Sequence, residues 1–169
     1  LNVNSLFVRT SKDLLDCDSL ILPGGESTTM SLLLDKFNLR DSIIDFSKDH
    51  SLFGICAGSI LMSNNSHDKR VNNLSLINLD TVRNFWGSQV NSFCDKILLD
   101  DNYFTKTEYF ATFIRAAKFK NLSTSNSILG FYNNEPVLVR NNKHLVAAFH
   151  PEVGDDLSIF EYFINMLNE

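Results

Sequence analysis

The sequence predicts a single α/β domain, a mainly parallel sheet with helices on both faces. Three observations carry that reading. Short aliphatic runs alternate with helical patterns through the first third of the chain. The connections between them are short, and strand–helix–strand alternation of that kind makes neighbouring strands parallel. Two of the strand-to-helix junctions are rich in small residues, at Pro23–Ser27 and at Gly54–Gly58. A chain of 169 residues, 44% hydrophobic and 21% charged, can bury a full core as one domain spanning 1–169.

Ser5–Arg9 and Ser19–Leu22 read as strands, with a short helix over Lys12–Asp16 between them that Ser11 could cap. After Pro23–Ser27 the spacing predicts helices over Thr28–Phe37 and Leu39–His50, the second turning Ile43, Ile44 and Phe46 inward. Leu52–Ile55 is a buried strand, followed at once by a small-residue helix over Ala57–Ser63. Asn64–Asn73 is polar and loop-like. Beyond it, Leu76–Val82, Gln89–Leu98, Tyr109–Ile114 and Ile128–Tyr132 read as strands. Pro136–Arg140 and His144–Phe149 flank Asn141-Asn142, a pair suited to the positive φ values of a tight hairpin. A last helix over Asp156–Asn168 presents Leu157, Phe160, Phe163, Ile164 and Leu167 at helical spacing.

Charge narrows the function classes. Lys+Arg 15 against Asp+Glu 20 gives −5, without a basic run, so neither nucleic acid nor an anionic membrane is an expected partner. Cys17, Cys56 and Cys94 are odd in number and include no C-x-x-C pair. Neither a disulfide framework nor a zinc site follows from that, and a reducing, cytoplasmic setting is the natural reading. No apolar run approaches a membrane span, and LNVNSLFVRT lacks the pattern of a secretory leader.

The strongest chemical signal is Gly54-Ile55-Cys56-Ala57-Gly58 between an apolar strand and a helix. Glycines flanking a nucleophile remove Cβ atoms that would clash in a sharp elbow, and the nucleophile then projects above the sheet edge. A thiol at a helix N-terminus is favoured as thiolate. The second signal is Phe149-His150-Pro151-Glu152 at the end of a strand. A thiolate needs a base to shuttle its proton, and the base needs an acceptor to orient it. Residues two apart in an extended segment face the same side, so Glu152 can reach His150. The third is Pro23-Gly24-Gly25-Glu26-Ser27-Thr28-Thr29, where adjacent glycines expose N–H groups able to hold an oxyanion. In isolation a plain helix cap at Ser27 or Thr28 explains it equally well. Phosphate binding is disfavoured, because the G-x-x-x-x-G-K-[ST] pattern is absent. His50, His67 and His144 lie in polar surroundings and read as surface residues.

PGGEST, GICAGSILM and FHPE, in this order, resemble the class I (triad) glutamine amidotransferases. PGGESTTM, Arg83-Asn84-Phe85-Trp86-Gly87-Ser88-Gln89 and Phe113-Ile114-Arg115-Ala116 are similar within that class to the glutaminase subunits of pyridoxal 5′-phosphate synthase. The similarity runs from about Leu6 to the C-terminus. It implies a flavodoxin-like fold and hydrolysis of L-glutamine to L-glutamate and ammonia, with no metal or organic cofactor. Cys56 would be the nucleophile, His150 the acid/base and Glu152 its orienter. The N–H groups of Gly25 and Ala57 would form the oxyanion hole. Gly25, Glu26, Ser27, Arg83, Ile114 and Arg115 would hold the glutamine. The implied partner is a (β/α)8-barrel synthase subunit that builds pyridoxal 5′-phosphate (vitamin B6) from a pentose phosphate and a triose phosphate.

Two departures from the family pattern carry expectations. Ala117, or a neighbour, stands where the family usually has Pro, so a local loop change is expected. The family's first strand and its Leu-Gln-Gly-type loop have no counterpart ahead of Leu1, so a sheet without that strand is expected. Other readings are a glutaminase serving another amidotransferase, which should lack the Arg83–Gln89 block, and a catalytically silent binding or regulatory subunit. A cysteine hydrolase of the α/β-hydrolase type is disfavoured, because its acid precedes its His by a long stretch of chain.

Overall fold

A computed structural model describes residues 1–86 and 92–168. A 3-10 turn at Asp13–Asp16 leads into β1 (Ser19–Leu22), followed by the helices α1 (Ser27–Lys36) and α2 (Arg40–Phe46). Then come β2 (Ser51–Ile55), α3 (Ala57–Met62) and β3 (Ser63–Asn65). The middle of the chain is a run of strands: β4 (Ile77–Trp86), β5 (Phe93–Leu99), β6 (Glu108–Phe113) and β7 (Ala116–Lys120). It continues through β8 (Ser127–Tyr132), β9 (Glu135–Arg140) and β10 (Leu145–Ala147), and closes with α4 (Ser158–Met166).

Among the described residues the larger sheet has seven strands in the order β1-β2-β10-β9-β8-β5-β6. The pairings β1–β2 and β2–β10 are parallel, and Gly54 of β2 lies level with Leu22 of β1 and Val146 of β10. From β10 outward the pairings are antiparallel. The sheet is thus parallel where it carries the glycine-rich junctions and antiparallel beyond them. A smaller sheet, β3-β4-β7, lies beside it.

The small-residue helix α3 is buried along its whole length and packs against β1, β2 and β10. Its Gly58 sits so close to β1 that a Cβ there would come within 2.0 Å of the Leu22 carbonyl oxygen. Phe53 of β2 is fully buried and meets Phe160 and Phe163 of α4, with ring centroids 5.8 and 5.4 Å apart. Arg40 ties α1 and α2 to the loop before β4. Its Nε donates to Asp35 Oδ1 at 2.5 Å, and its terminal nitrogens donate to the Asn72 carbonyl and to the carbonyl and hydroxyl of Ser31.

Several local expectations are corrected. Ser5–Arg9 forms no strand: β1 ends the sheet order, no neighbour among the described residues pairs with the segment, and Phe7 is 87% exposed. The second helix stops at Phe46. Ala117, the position of the expected local loop change, lies fully buried in the strand β7, an element not expected from the sequence. The Asn pair with positive φ is Asn133-Asn134, between β8 and β9, at 49° and 62°. At the β9–β10 turn Asn141 works through its side chain instead, its Oδ1 accepting from Lys143 and His144 N–H. The buried stripe of α4 is Ile159, Phe163 and Met166, while Leu157 and Leu167 face solvent. Part of the Gln89–Leu98 expectation lies outside the described residues; β5 begins at Phe93.

His144 is the clearest correction, because it is buried, with only 6% of its surface exposed. Its Nδ1 accepts the Leu52 N–H at 3.2 Å, so the ring serves as a neutral acceptor for β2. Burial, helped by Lys143, pushes its pKa down from 6.5 to about 4. Above pH 6.5 the ring is neutral both folded and unfolded and adds no pH dependence. As pH falls from 6.5 towards 4 the unfolded chain takes up the proton while the folded chain resists it. Stability should therefore fall by at most roughly 3 kcal/mol over that window. His144→Asn should flatten the dependence of Tm on pH between 7 and 4, measured by thermal unfolding; an unchanged slope would rule out this account of the ring.

Candidate active site

Cys56 sits between β2 and α3 with φ 48° and ψ −102°, a backbone conformation that L residues rarely hold. The elbow is held from both sides. Cys56 N–H donates to the Ala147 carbonyl of β10 at 2.8 Å, and the Cys56 carbonyl accepts from Ser59 Oγ at 2.6 Å and Ile60 N–H at 3.2 Å. The flanking glycines are needed for space. A Cβ on Gly54 would lie 2.7 Å from Met62 Sδ and 2.9 Å from the Gly58 carbonyl. The thiol lies 3.7 Å from the Ile114 carbonyl oxygen.

His150 follows β10, so it leaves the sheet at the same end as the elbow. Its N–H donates to the Thr112 carbonyl of β6 at 2.8 Å, and its Nδ1 lies 2.7 Å from Glu152 Oε1. Glu152 reaches the ring from a 3-10 turn, Pro151–Val153, not from the extended segment the spacing suggested. Proline's fixed φ starts that turn. Tyr109 Oη, donating towards the Pro151 and Asp156 carbonyls at 3.3 Å, anchors it from β6. Burial pulls the His150 pKa down, but hydrogen bonding and charge attraction from Cys56 and Glu152 outweigh it and lift it from 6.5 to about 9. Burial pushes the Glu152 carboxyl up, and its bond to His150 more than offsets this and leaves it below its ordinary value.

The loop after β1 completes the arrangement. Gly24 faces the imidazole: a Cβ there would stand 2.4 Å from His150 Cε1. Gly25 has φ 149°, a value that suits a residue without a side chain. Glu26 caps α1 by accepting from the N–H groups of Thr28 and Thr29, so the cap lies one residue before Ser27 and two before Thr28. Its carboxylate also receives Arg83 Nη2 at 3.0 Å, and the other terminal nitrogen of Arg83 pairs with Asp68. Ser27 is buried, and its hydroxyl has no partner among the described residues. Ala57, the first residue of α3, is buried beside the thiol. Ile114 brings its carbonyl to the thiol, while Arg115, at φ 48°, is an exposed residue between β6 and β7. Gly87, Ser88 and Gln89 lie outside the described residues.

A family model described as "SNO glutamine amidotransferase family" matches residues 2–169. The chain belongs to that family. It is 38% identical over 165 residues to a protein of Oenococcus oeni named pyridoxal 5′-phosphate synthase subunit PdxT, covering 98% of this chain and 85% of that one. A Francisella philomiragia protein of the same name is 40% identical over 166 residues, with 98% and 87% covered. A crystal structure of a glutamine amidotransferase superposes with a TM-score of 0.86 at 30% identity, covering 96% of this chain and 85% of that one. A glutamine amidotransferase of Thermotoga maritima, at 16% identity and a TM-score of 0.57, shares the fold, with 92% of this chain and 64% of that one covered.

Within this glutamine amidotransferase, sequence reasoning misses Thr112 and Asp68 as neighbours of the site, and it finds Gly24 in the double glycine without its packing on His150. Thr112 acts through its backbone carbonyl and Gly24 through space, which residue type does not advertise. Asp68 lies in a polar stretch that carries no periodic or motif signal. Among the described residues no group of three or more His, Cys, Asp or Glu is placed to hold a metal, and no helix is long and apolar enough to cross a membrane.

The packing of Gly24 on His150 makes the loop after β1 sensitive to a single methyl group. Gly24→Ala should displace the imidazole and lower glutamine turnover about 100-fold, the cost of a misplacement near 1 Å, while Tm changes little. Steady-state assays and thermal unfolding check this, and full activity in the variant would contradict the packing. His150 should titrate near pH 9 by NMR, and Glu152→Gln should move that value down. A titration that ignores the substitution would show that Glu152 does not hold the proton in place.

Proposed function

We propose that the chain is the glutaminase subunit of a pyridoxal 5′-phosphate synthase. It hydrolyses L-glutamine to L-glutamate and ammonia and passes the ammonia to a (β/α)8-barrel synthase subunit. The names of its relatives support the pathway. The observation that carries the chemistry is Cys56, held at φ 48° on the same sheet end as the His150–Glu152 pair.

In this reading the Cys56 thiolate attacks the side-chain amide carbon of glutamine. The N–H groups of Gly25 and Ala57 receive the oxyanion, a role in which one donor contributes about 100-fold to 1,000-fold in rate. His150, protonated beside Glu152, gives its proton to the leaving nitrogen as the C–N bond breaks, releasing ammonia and leaving a γ-glutamyl thioester on Cys56. His150 then takes a proton from water, whose oxygen attacks the thioester. Glutamate leaves, and the proton returns the Cys56–His150 pair to its starting state. No metal or organic cofactor enters these steps. Arg83, Glu26, the Ser27 hydroxyl (which has no partner among the described residues), Ile114 and Arg115 hold the carboxylate and ammonium ends of the substrate. The unpaired thiols Cys17, Cys56 and Cys94 suit a reducing compartment, and we place the reaction in the cytoplasm.

Glutamine hydrolysis, assayed with the synthase subunit present, tests the reading. Cys56→Ala should abolish turnover and leave the fold intact, and His150→Asn should be about as damaging, because members of such a triad act as a unit. Glu152→Gln should cost less. An electrophilic glutamine analogue should label Cys56 and spare Cys17 and Cys94; residual turnover in Cys56→Ala, or labelling spread over all three, would defeat the nucleophile assignment. Arg83→Ala should raise KM by removing a charge-assisted hydrogen bond worth roughly 1.5–3 kcal/mol, and an unchanged KM would remove Arg83 from the substrate pocket.

A further inference from the structure

The polar stretch between β3 and β4 looks like a plain connector, yet an ionic chain runs from it into the site: Arg70–Asp68–Arg83–Glu26. Its inner members are shielded. The Asp68 and Arg83 side chains are 16% and 19% exposed, against 74% for Arg70. Asp68 is itself fixed. Arg70 grips both its oxygens, Nε to Oδ1 at 3.0 Å and Nη2 to Oδ2 at 2.8 Å, and the Arg70 N–H donates to Oδ1 at 3.0 Å. The Asp68 carbonyl accepts from Val71 N–H at 2.9 Å, which closes the turn.

We propose that Asp68 is a positioning residue for Arg83, holding its guanidinium in the plane from which it receives the carboxylate of glutamine beside Glu26. This rests on the assignment of Arg83 to the substrate pocket made above. A guanidinium is flat and keeps its charge, so its orientation decides which N–H groups face a ligand. In this chain the two terminal nitrogens are held by two separate carboxylates, Asp68 on one and Glu26 on the other. Two anchors fix the plane, whereas Glu26 alone leaves rotation about the remaining bond. A cleft of about 300 Å³ lined by Asp68, Arg70 and Arg83 adjoins the chain, giving an unanchored Arg83 room to turn away.

Charge and positioning make opposite predictions here, and that makes the inference testable. Removing an anion near a carboxylate-binding arginine should, by Coulomb attraction alone, tighten glutamine binding. Removing an anchor should weaken it. With the synthase subunit present, Asp68→Asn should raise the KM for glutamine about tenfold, the order of one charge-assisted hydrogen bond, with kcat changed less than about twofold. Arg70→Ala, an exposed change that loosens Asp68 without removing it, should raise KM in the same direction by about twofold to threefold. In an Arg83→Ala background, Asp68→Asn should have no further effect on KM. A KM unchanged or lowered in both Asp68→Asn and Arg70→Ala, or raised equally with and without Arg83, would overturn the inference. If Arg83→Ala itself raises KM in the same experiment, the substrate-pocket reading survives that failure; if it does not, both fall.

Discussion

The contact on which the site depends is the seating of α3 against the Leu22 carbonyl of β1. Gly58 makes it, at a separation that leaves no room for a Cβ. With α3 seated there, the parallel register of β1, β2 and β10 brings Leu22, Gly54 and Val146 level. The residues just beyond those positions are Gly24 and Gly25, then Cys56, then His150. Three loops from distant parts of the sequence are thereby delivered to one edge without spanning elements of their own. A helix displaced outward by one methyl group would carry the elbow with it, because Cys56 is bonded to β10 through its N–H and to α3 through its carbonyl.

That geometry is strained, and the strain sits where chemistry is proposed. Cys56 and Arg115 both hold φ 48°, and Asn84, next to Arg83, holds φ 53°. Each such residue costs on the order of 1–3 kcal/mol and persists only where its surroundings over-determine it. The surroundings do so here. The strand that Cys56 ends is fully buried at Phe53 and its neighbour β10 at Val146, and the Ile114–Arg115 corner lies between the buried Phe113 and Ala116. Conformational freedom at these corners has been given up to aim a thiol, a carbonyl and two guanidinium-bearing segments.

Much of this is legible in the residues, and what is not has a physical cause. The elbow, the His-x-Glu step and the double glycine announce themselves because each needs rare residue types at fixed spacing. Sheet order is less legible. Ser5–Arg9 has a strand's composition but no ladder partner, and composition reports the propensity, not the partner. The turn expected at Asn141-Asn142 shows the same limit. Asparagine can enter a turn through positive φ or through its side chain, and only the neighbouring pairing decides which. His144 has polar flanks and so reads as a surface residue; its burial comes from the neighbouring β2, which the local sequence does not contain. The Asp68–Arg83 pair joins a loop to a strand through the charges around the start of α1, and no periodicity records such a link.

The distribution of protons divides the site into two halves with different duties. Hydrogen bonds from Thr28 and Thr29, opposed by a smaller effect of burial, hold the Glu26 carboxyl down at about 2. Arg70, with Arg83 adding its charge, holds Asp68 well below the usual carboxylate range. The carboxylates of the half proposed to hold the substrate are therefore ionised across the physiological range. The chemical half differs, because His150 has been lifted by its partners to about 9 and owes that value to them. In the proposed reaction, once Cys56 is taken up in a covalent bond, one of those supports is gone, and the imidazole becomes readier to release its proton. In that reaction the same ring is thus biased towards holding a proton until the thioester forms and towards exchanging it with water afterwards, while the charges proposed to hold the substrate stay fixed.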